Sequence, residues 1–139
     1  MLNNPNEGEV VIITYHEKGG LTPEESKELV MQSLDMDKAE DIVCIPLSGS
    51  SALADYMIIA NGTSSRHVSA LARKLKERLQ IKKVKGITIE GLGQCDWVVM
   101  DTGDIIVHLF RPEVREFYGI EKMWSPEARR NASENQIQA

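Results

Sequence analysis

Cysteine is scarce in this chain: Cys44 and Cys95 are the only two in 139 residues, and no CxxC spacing pairs them. A disulfide scaffold and a tetrathiolate zinc site therefore have no support, and both thiols are expected reduced and buried within apolar segments. Aromatic residues are also few, at 5%. No apolar run approaches the roughly 20 residues that span a bilayer. The opening MLNNPNEGEV lacks the basic and apolar regions of a signal peptide, so the expectation is a soluble, cytoplasmic protein with no membrane contact. GxGxxG and a Gly-Lys-Ser/Thr phosphate loop are also missing, which removes the common dinucleotide and nucleoside triphosphate signatures.

What is present is enough for one domain with a real core: 42% of residues are hydrophobic and 27% charged. The net charge of −5 conceals a segregation. Between Arg66 and Lys85 eight cations face one carboxylate, Glu77, a net of +7, so the rest of the chain carries −12. A basic stripe of this kind meets nucleic acid or is simply solvated; a pI near 5.2 argues against duplex binding by charge alone.

The order of elements is legible from punctuation and periodicity. VVIITY, 10–15, is a strand or part of an unstructured extension covering 1–20. Thr22, Pro23 and Glu25 form a helix start signal, with Leu29, Val30 and Leu34 on one face, and the helix is expected to end near Asp37. DIVCIPL reads as a strand, SGSSALA as a turn region and DYMIIA as a second strand. Thr63 to Ser65 then offer caps to a helix whose Val68, Leu71, Leu75 and Leu79 give one narrow apolar stripe. ITIEG is followed by a hairpin, WVVMDTGDIIVHLF, with its turn expected at Thr102-Gly103. Both faces of that hairpin are largely apolar, which places it centrally in the sheet with cover on both sides. A short helix runs from Pro112 toward Tyr118, and the segment 125–139 has too little to bury and reads as a disordered tail. The fold class is α/β (α+β), a single domain at 21–124 with a mixed sheet flanked by helices.

Three stretches look chemical. NGTSSRH could cradle an anion at a helix start, but every strand-to-helix junction asks for such residues, so the bland reading is favoured. His67 there reads as a surface or capping neighbour. Asp101-Thr102-Gly103 matches the core of small aspartic proteases, yet Asp104 follows the glycine and the expected downstream Gly strand is missing, leaving a hairpin tip. Gly49-Ser50 ahead of Asp55 matches the opening of a nucleotidyltransferase site, but the second metal-binding carboxylate is replaced by Met57. His108 reads as a satisfied core residue, and no histidine pair has metal-ligand spacing. No cofactor and no metal are expected.

Taken together, ADYMIIANGTSSRHVSALA, DWVVMDTGDIIVHLFRPEVREFYGIEKMW and DIVCIPL resemble the ribosomal silencing factor, or Iojap-like, family. The resemblance covers about 21–124 and rests on Asp55, the run Gly62 to His67, Trp97, Asp101, Gly103-Asp104, His108, Arg115, Tyr118, Glu121 and Trp124. It implies a fold related to nucleotidyltransferases without their catalytic carboxylates. It further implies a non-enzymatic protein that binds ribosomal protein L-fourteen on the large subunit and hinders subunit joining when nutrients are scarce. On this reading the partner surface is expected at Trp97, Asp101, Arg111, Glu113, Arg115 and Tyr118. A homodimer and a minor rRNA contact through the basic helix are compatible with the residues. The alternatives are a nucleotidyltransferase-fold enzyme and an RNA-binding module acting in large-subunit assembly.

Overall fold

The computed structural model describes residues 21–47 and 54–124. The expected strand at 10–15, most of the turn region at 48–54 and the tail at 125–139 lie outside the described residues. Helix α1 spans Pro23–Met36 and is closed at its start by the full capping box: Glu25 N–H donates to Thr22 Oγ1 at 3.1 Å and Thr22 N–H to Glu25 Oε1 at 3.0 Å. Strands β1 (Glu40–Pro46) and β2 (Tyr56–Asn61) pair antiparallel, and α2 (Ser65–Ile81) follows. Then come β3 (Thr88–Glu90), β4 (Trp97–Asp101), β5 (Ile105–Phe110), α3 (Pro112–Tyr118) and a 3-10 turn, Ile120–Trp124. The sheet order is β1-β2-β5-β4-β3, mixed because β2 and β5 are parallel while the other neighbours are antiparallel. This is a single α+β domain.

The two faces of the sheet are unequally covered. One face packs under α1 and α2: Val30, Leu34, Val68, Leu71, Leu75 and Leu79 meet Val98, Met100, Ile105, Val107 and Leu109. Each fully buried leucine there contributes about 1.5–3 kcal/mol of transfer free energy. The other face holds a smaller cluster, Leu47, Ala54, Met57, Ile59 and Phe110, against which Trp97, Ile106, Val114 and Ile120 pack half-buried. The alternation expected along β4 and β5 is observed. The cover expected on both sides is not: Val99 and Ile106 stay half-exposed and Asp101 is exposed. The reason is length, since α3 has seven residues and lies over one end of the face only.

Two local details decide geometry. Gly62 sits where β2 hands over to α2; a Cβ there would lie 2.7 Å from Val68 Cγ2 and 2.9 Å from Val68 N, so only glycine admits this approach. Ser64 caps α2 by accepting from His67 N–H. His67 Nδ1 accepts from Thr63 N–H at 2.9 Å, so its Nε2–H donates to Asp37 O, also at 2.9 Å, tying the start of α2 to the end of α1. The junction's hydroxyl and imidazole are thus engaged in holding two helices. The hairpin turn falls one residue later than expected, at Gly103-Asp104. Thr102 N–H already donates to Ile105 O, and Gly103 takes φ +98°, the region that favours glycine.

Candidate partner interface

The chain has seven Phe, Trp and Tyr residues in all, and four of them, Trp97, Phe110, Phe117 and Tyr118, touch one another on the half-covered face. Alternation along β4 and β5 sends Trp97, His108 and Phe110 to that side, where the Trp97 and Phe110 rings stack with centroids 5.0 Å apart. Helix α3 follows β5 almost at once, with Pro112 in its first turn fixing the entry, and it ends at Gly119, whose φ of +56° suits the left-handed cap. Tyr118 is thereby laid on Trp97 at 4.8 Å, and Phe117 meets Tyr118 edge-on at 5.0 Å. Phe117 is 80% exposed and Tyr118 54% exposed. Large aromatic surface held rigidly in water is what interface anchors look like, because little side-chain entropy remains to be lost on docking.

Trp97 is fixed from below. Its Nε1–H donates to His108 Nδ1 at 3.0 Å, which requires a neutral imidazole, and burial pushes the His108 pKa down to about 4. His108 is therefore an acceptor at neutral pH that locks the indole. Between Trp97, Tyr118, Phe117 and the loop carrying Gly91, Gly93 and Asp96 lies a groove of about 650 Å³. Carboxylates stand on its rim: Asp96 and Glu113 flank the groove, and Arg111 bridges them, 3.3 Å from Asp96 and in a close pair with Glu113. That hydrogen bond from Arg111 holds the Glu113 carboxyl below its usual range.

The expected partner residues are not one cluster. Trp97, Arg111, Glu113 and Tyr118 come together at the α3 end of the sheet. Arg115 is only 9% exposed and points toward β1 and β2. Its Nε donates to Glu121 at 2.8 Å, and one Nη donates to Asp41 O at 2.7 Å and Asn61 Oδ1 at 2.9 Å. The Asp41 carbonyl is available because β1 bulges there, with Asp41 at φ +49°. Arg115 is thus the tie that holds α3 and the 3-10 turn against the sheet. Asp101 lies at the opposite end of β4, about 13 Å along the strand from Trp97, and its carboxylate accepts from Gly103 N–H. Phe117 and Asp96, which line the same groove, are not among the residues expected from the sequence. Aromatic scarcity was the usable signal, since Phe117 adjoins Tyr118 in a chain with only seven Phe, Trp and Tyr residues.

Met57, at the position of the transferase's second carboxylate, is 3% exposed and packed in the core. Among the described residues no group of three or more His, Cys, Asp or Glu could hold a metal ion, and no helix is long and apolar enough to cross a membrane. Cys95 is buried and Cys44 half-buried, both as free thiols; Cys44 is thus less enclosed than expected.

Comparison with known proteins agrees with this architecture. A family model described as "ribosomal silencing factor during starvation" matches residues 21–139. The ribosomal silencing factor RsfS of Zymomonas mobilis is 55% identical over 102 residues, covering 73% of this chain and 77% of that protein. In Mus musculus, the mitochondrial assembly of ribosomal large subunit protein 1 is 33% identical over 101 residues, covering 70% of this chain and 44% of that protein. A crystal structure of a Chromobacterium violaceum protein superposes with a TM-score of 0.73 at 35% identity, covering 75% of this chain and 87% of that one. With a family model spanning the described domain, and sequence and structure agreeing, the chain belongs to the ribosomal silencing factor, or Iojap-like, family.

Proposed function

We propose that this protein represses translation under nutrient limitation by binding ribosomal protein L-fourteen on the large subunit and sterically blocking the small subunit. The observation that supports it is the aromatic cluster of half-buried Trp97 with exposed Tyr118 and Phe117. It is an aromatic anchor rimmed by Asp96 and Glu113, which with Arg111 between them leave a net charge of −1 that suits a basic, RNA-associated protein partner. On this reading Arg111 orients the rim, Arg115 positions α3 from within, and Asp101 forms an outer contact of the same face. No catalytic step is invoked; the effect follows from occupancy and acts in the cytoplasm, where the subunits meet. The domain 21–124 carries the activity.

Losing a central aromatic anchor often costs at least about 2 kcal/mol, or roughly thirtyfold in affinity. Binding of folded Phe117→Ala and Tyr118→Ala to purified L-fourteen should fall by that order, and wild-type affinity in both would move the interface elsewhere. The open apolar strip at Val99 and Ile106 is the surface we propose for a homodimer. The murine relative's name favours a second reading, a role in assembly of the large subunit. Accumulation of immature large subunits on deletion, without any change in joining of mature ones, would select that reading.

A further inference from the structure

The outward side of α2 forms a second surface, on the sheet face opposite the aromatic stack. Val68, Leu71, Leu75 and Leu79 turn inward, so the 3.6-residue period puts Arg66, Arg73 and Glu77 along the outer crest with Lys76 on its flank. All but Lys76, which is half-buried, are exposed. Seven of the eight cations of 66–85, all but Lys82, fall into two sets. Arg78 and Lys74 are spent internally on Asp37, at 2.6 and 3.7 Å. Arg66, Arg73, Lys76, Lys83 and Lys85 have no carboxylate within ion-pair distance among the described residues. Where α2 ends, Lys83 turns with φ +66°, and Lys76, Lys83 and Lys85 surround a shallow hollow that no acidic residue lines. The cations thus run along about 15 Å of helix from Arg66 to Lys76 and continue into the loop beyond it.

We infer that this outer face of α2 binds the phosphate backbone of structured RNA. Five cations left unpaired among the described residues, on α2 and the loop after it, three of them around a hollow that no acidic residue lines, concentrate the positive charge that a polyanion requires. Recognition is of phosphate rather than of base edges: the crest carries no aromatic side chain for stacking, and long flexible cations position without specifying. The contact is independent of the L-fourteen proposal, because the two surfaces lie on opposite faces of the sheet.

The test uses the full chain and a labelled RNA hairpin, with no ribosomal protein present, followed by fluorescence anisotropy between about 50 and 200 mM salt. The expected result is salt-dependent binding. The triple variant Arg73→Gln/Lys76→Gln/Lys83→Gln, shown by circular dichroism to be folded, should bind at least about tenfold more weakly, with a slope of log affinity against log salt smaller by about 2–3. Glu77→Gln, which removes the one carboxylate from the crest, should tighten binding by about two- to fivefold. Wild-type affinity and slope in the folded triple variant would overturn the assignment. So would displacement of the RNA by polyglutamate at equal charge, which would show an attraction to acidic polymers of any kind.

Discussion

At the scale of single residues, the buried histidine and arginine make the sharpest predictions. His108 has a folded-state pKa of about 4 against 6.5 for the free group, lowered by burial. Its neutral form is therefore the one that stabilises the fold. As pH falls from about 6.5 toward 4 the unfolded chain takes up a proton that the folded chain refuses, so stability drops through that window, by up to about 3 kcal/mol, and levels off below it. Asp104, whose carboxyl is raised by burial and by Asp55, acts in the opposite sense at acid pH. Comparing wild type with His108→Gln isolates the histidine: urea denaturation from pH 7 to 4 should show a shallower decline in the variant, and parallel curves would contradict it. Arg115→Met should cost about 3 kcal/mol or more, since it leaves Glu121, Asn61 and the Asp41 carbonyl without their donor. Gly62→Ala should cost about 1–3 kcal/mol, because Val68 and its backbone stand in the way of the methyl group. Thermal melts check both.

At the scale of elements, what was legible in the sequence followed from local rules. The start of α1 was readable because Thr22, Pro23 and Glu25 are a chemical signature; Thr22→Ala should lower stability by about 1 kcal/mol in chemical denaturation, and no change would mean the box carries no energy. The α2 stripe and the alternation of β4 and β5 were readable because period alone assigns faces. What period cannot report is how far a neighbouring element reaches. Seven residues of α3 cover Phe110 and part of Trp97 but not Val99, so a hairpin apolar on both faces is fully sheltered on one side and only partly on the other. The turn shift to Gly103-Asp104 has a similar origin, since Thr102 joins the ladder through its backbone and its hydroxyl. The candidate site was half legible. Trp97 and Tyr118 stood out as rare aromatics near a helix, whereas the burial of Arg115 depends on a bulge at Asp41, 74 residues away, that no local pattern announces.

At the scale of the molecule, the sheet separates two chemistries. One side presents an aromatic cluster with Asp96, Arg111 and Glu113 at its rim; the other presents the cations of α2, a helix anchored through Asp37 to α1. Such a body can be held on a ribosomal surface by a protein contact and a phosphate contact together, and neither requires catalysis. If the proposed function holds, repression by occupancy would obey mass action: it would be stoichiometric, reversible on dilution, and ineffective on intact ribosomes whose joined subunits already cover the site. The most direct measurement of this claim is sedimentation of separated ribosomal subunits with increasing amounts of the protein, before and after they are allowed to join. The account predicts that the protein travels with the large subunit and that joined ribosomes decline in proportion to its occupancy. Unimpaired joining with the large subunit saturated would contradict it.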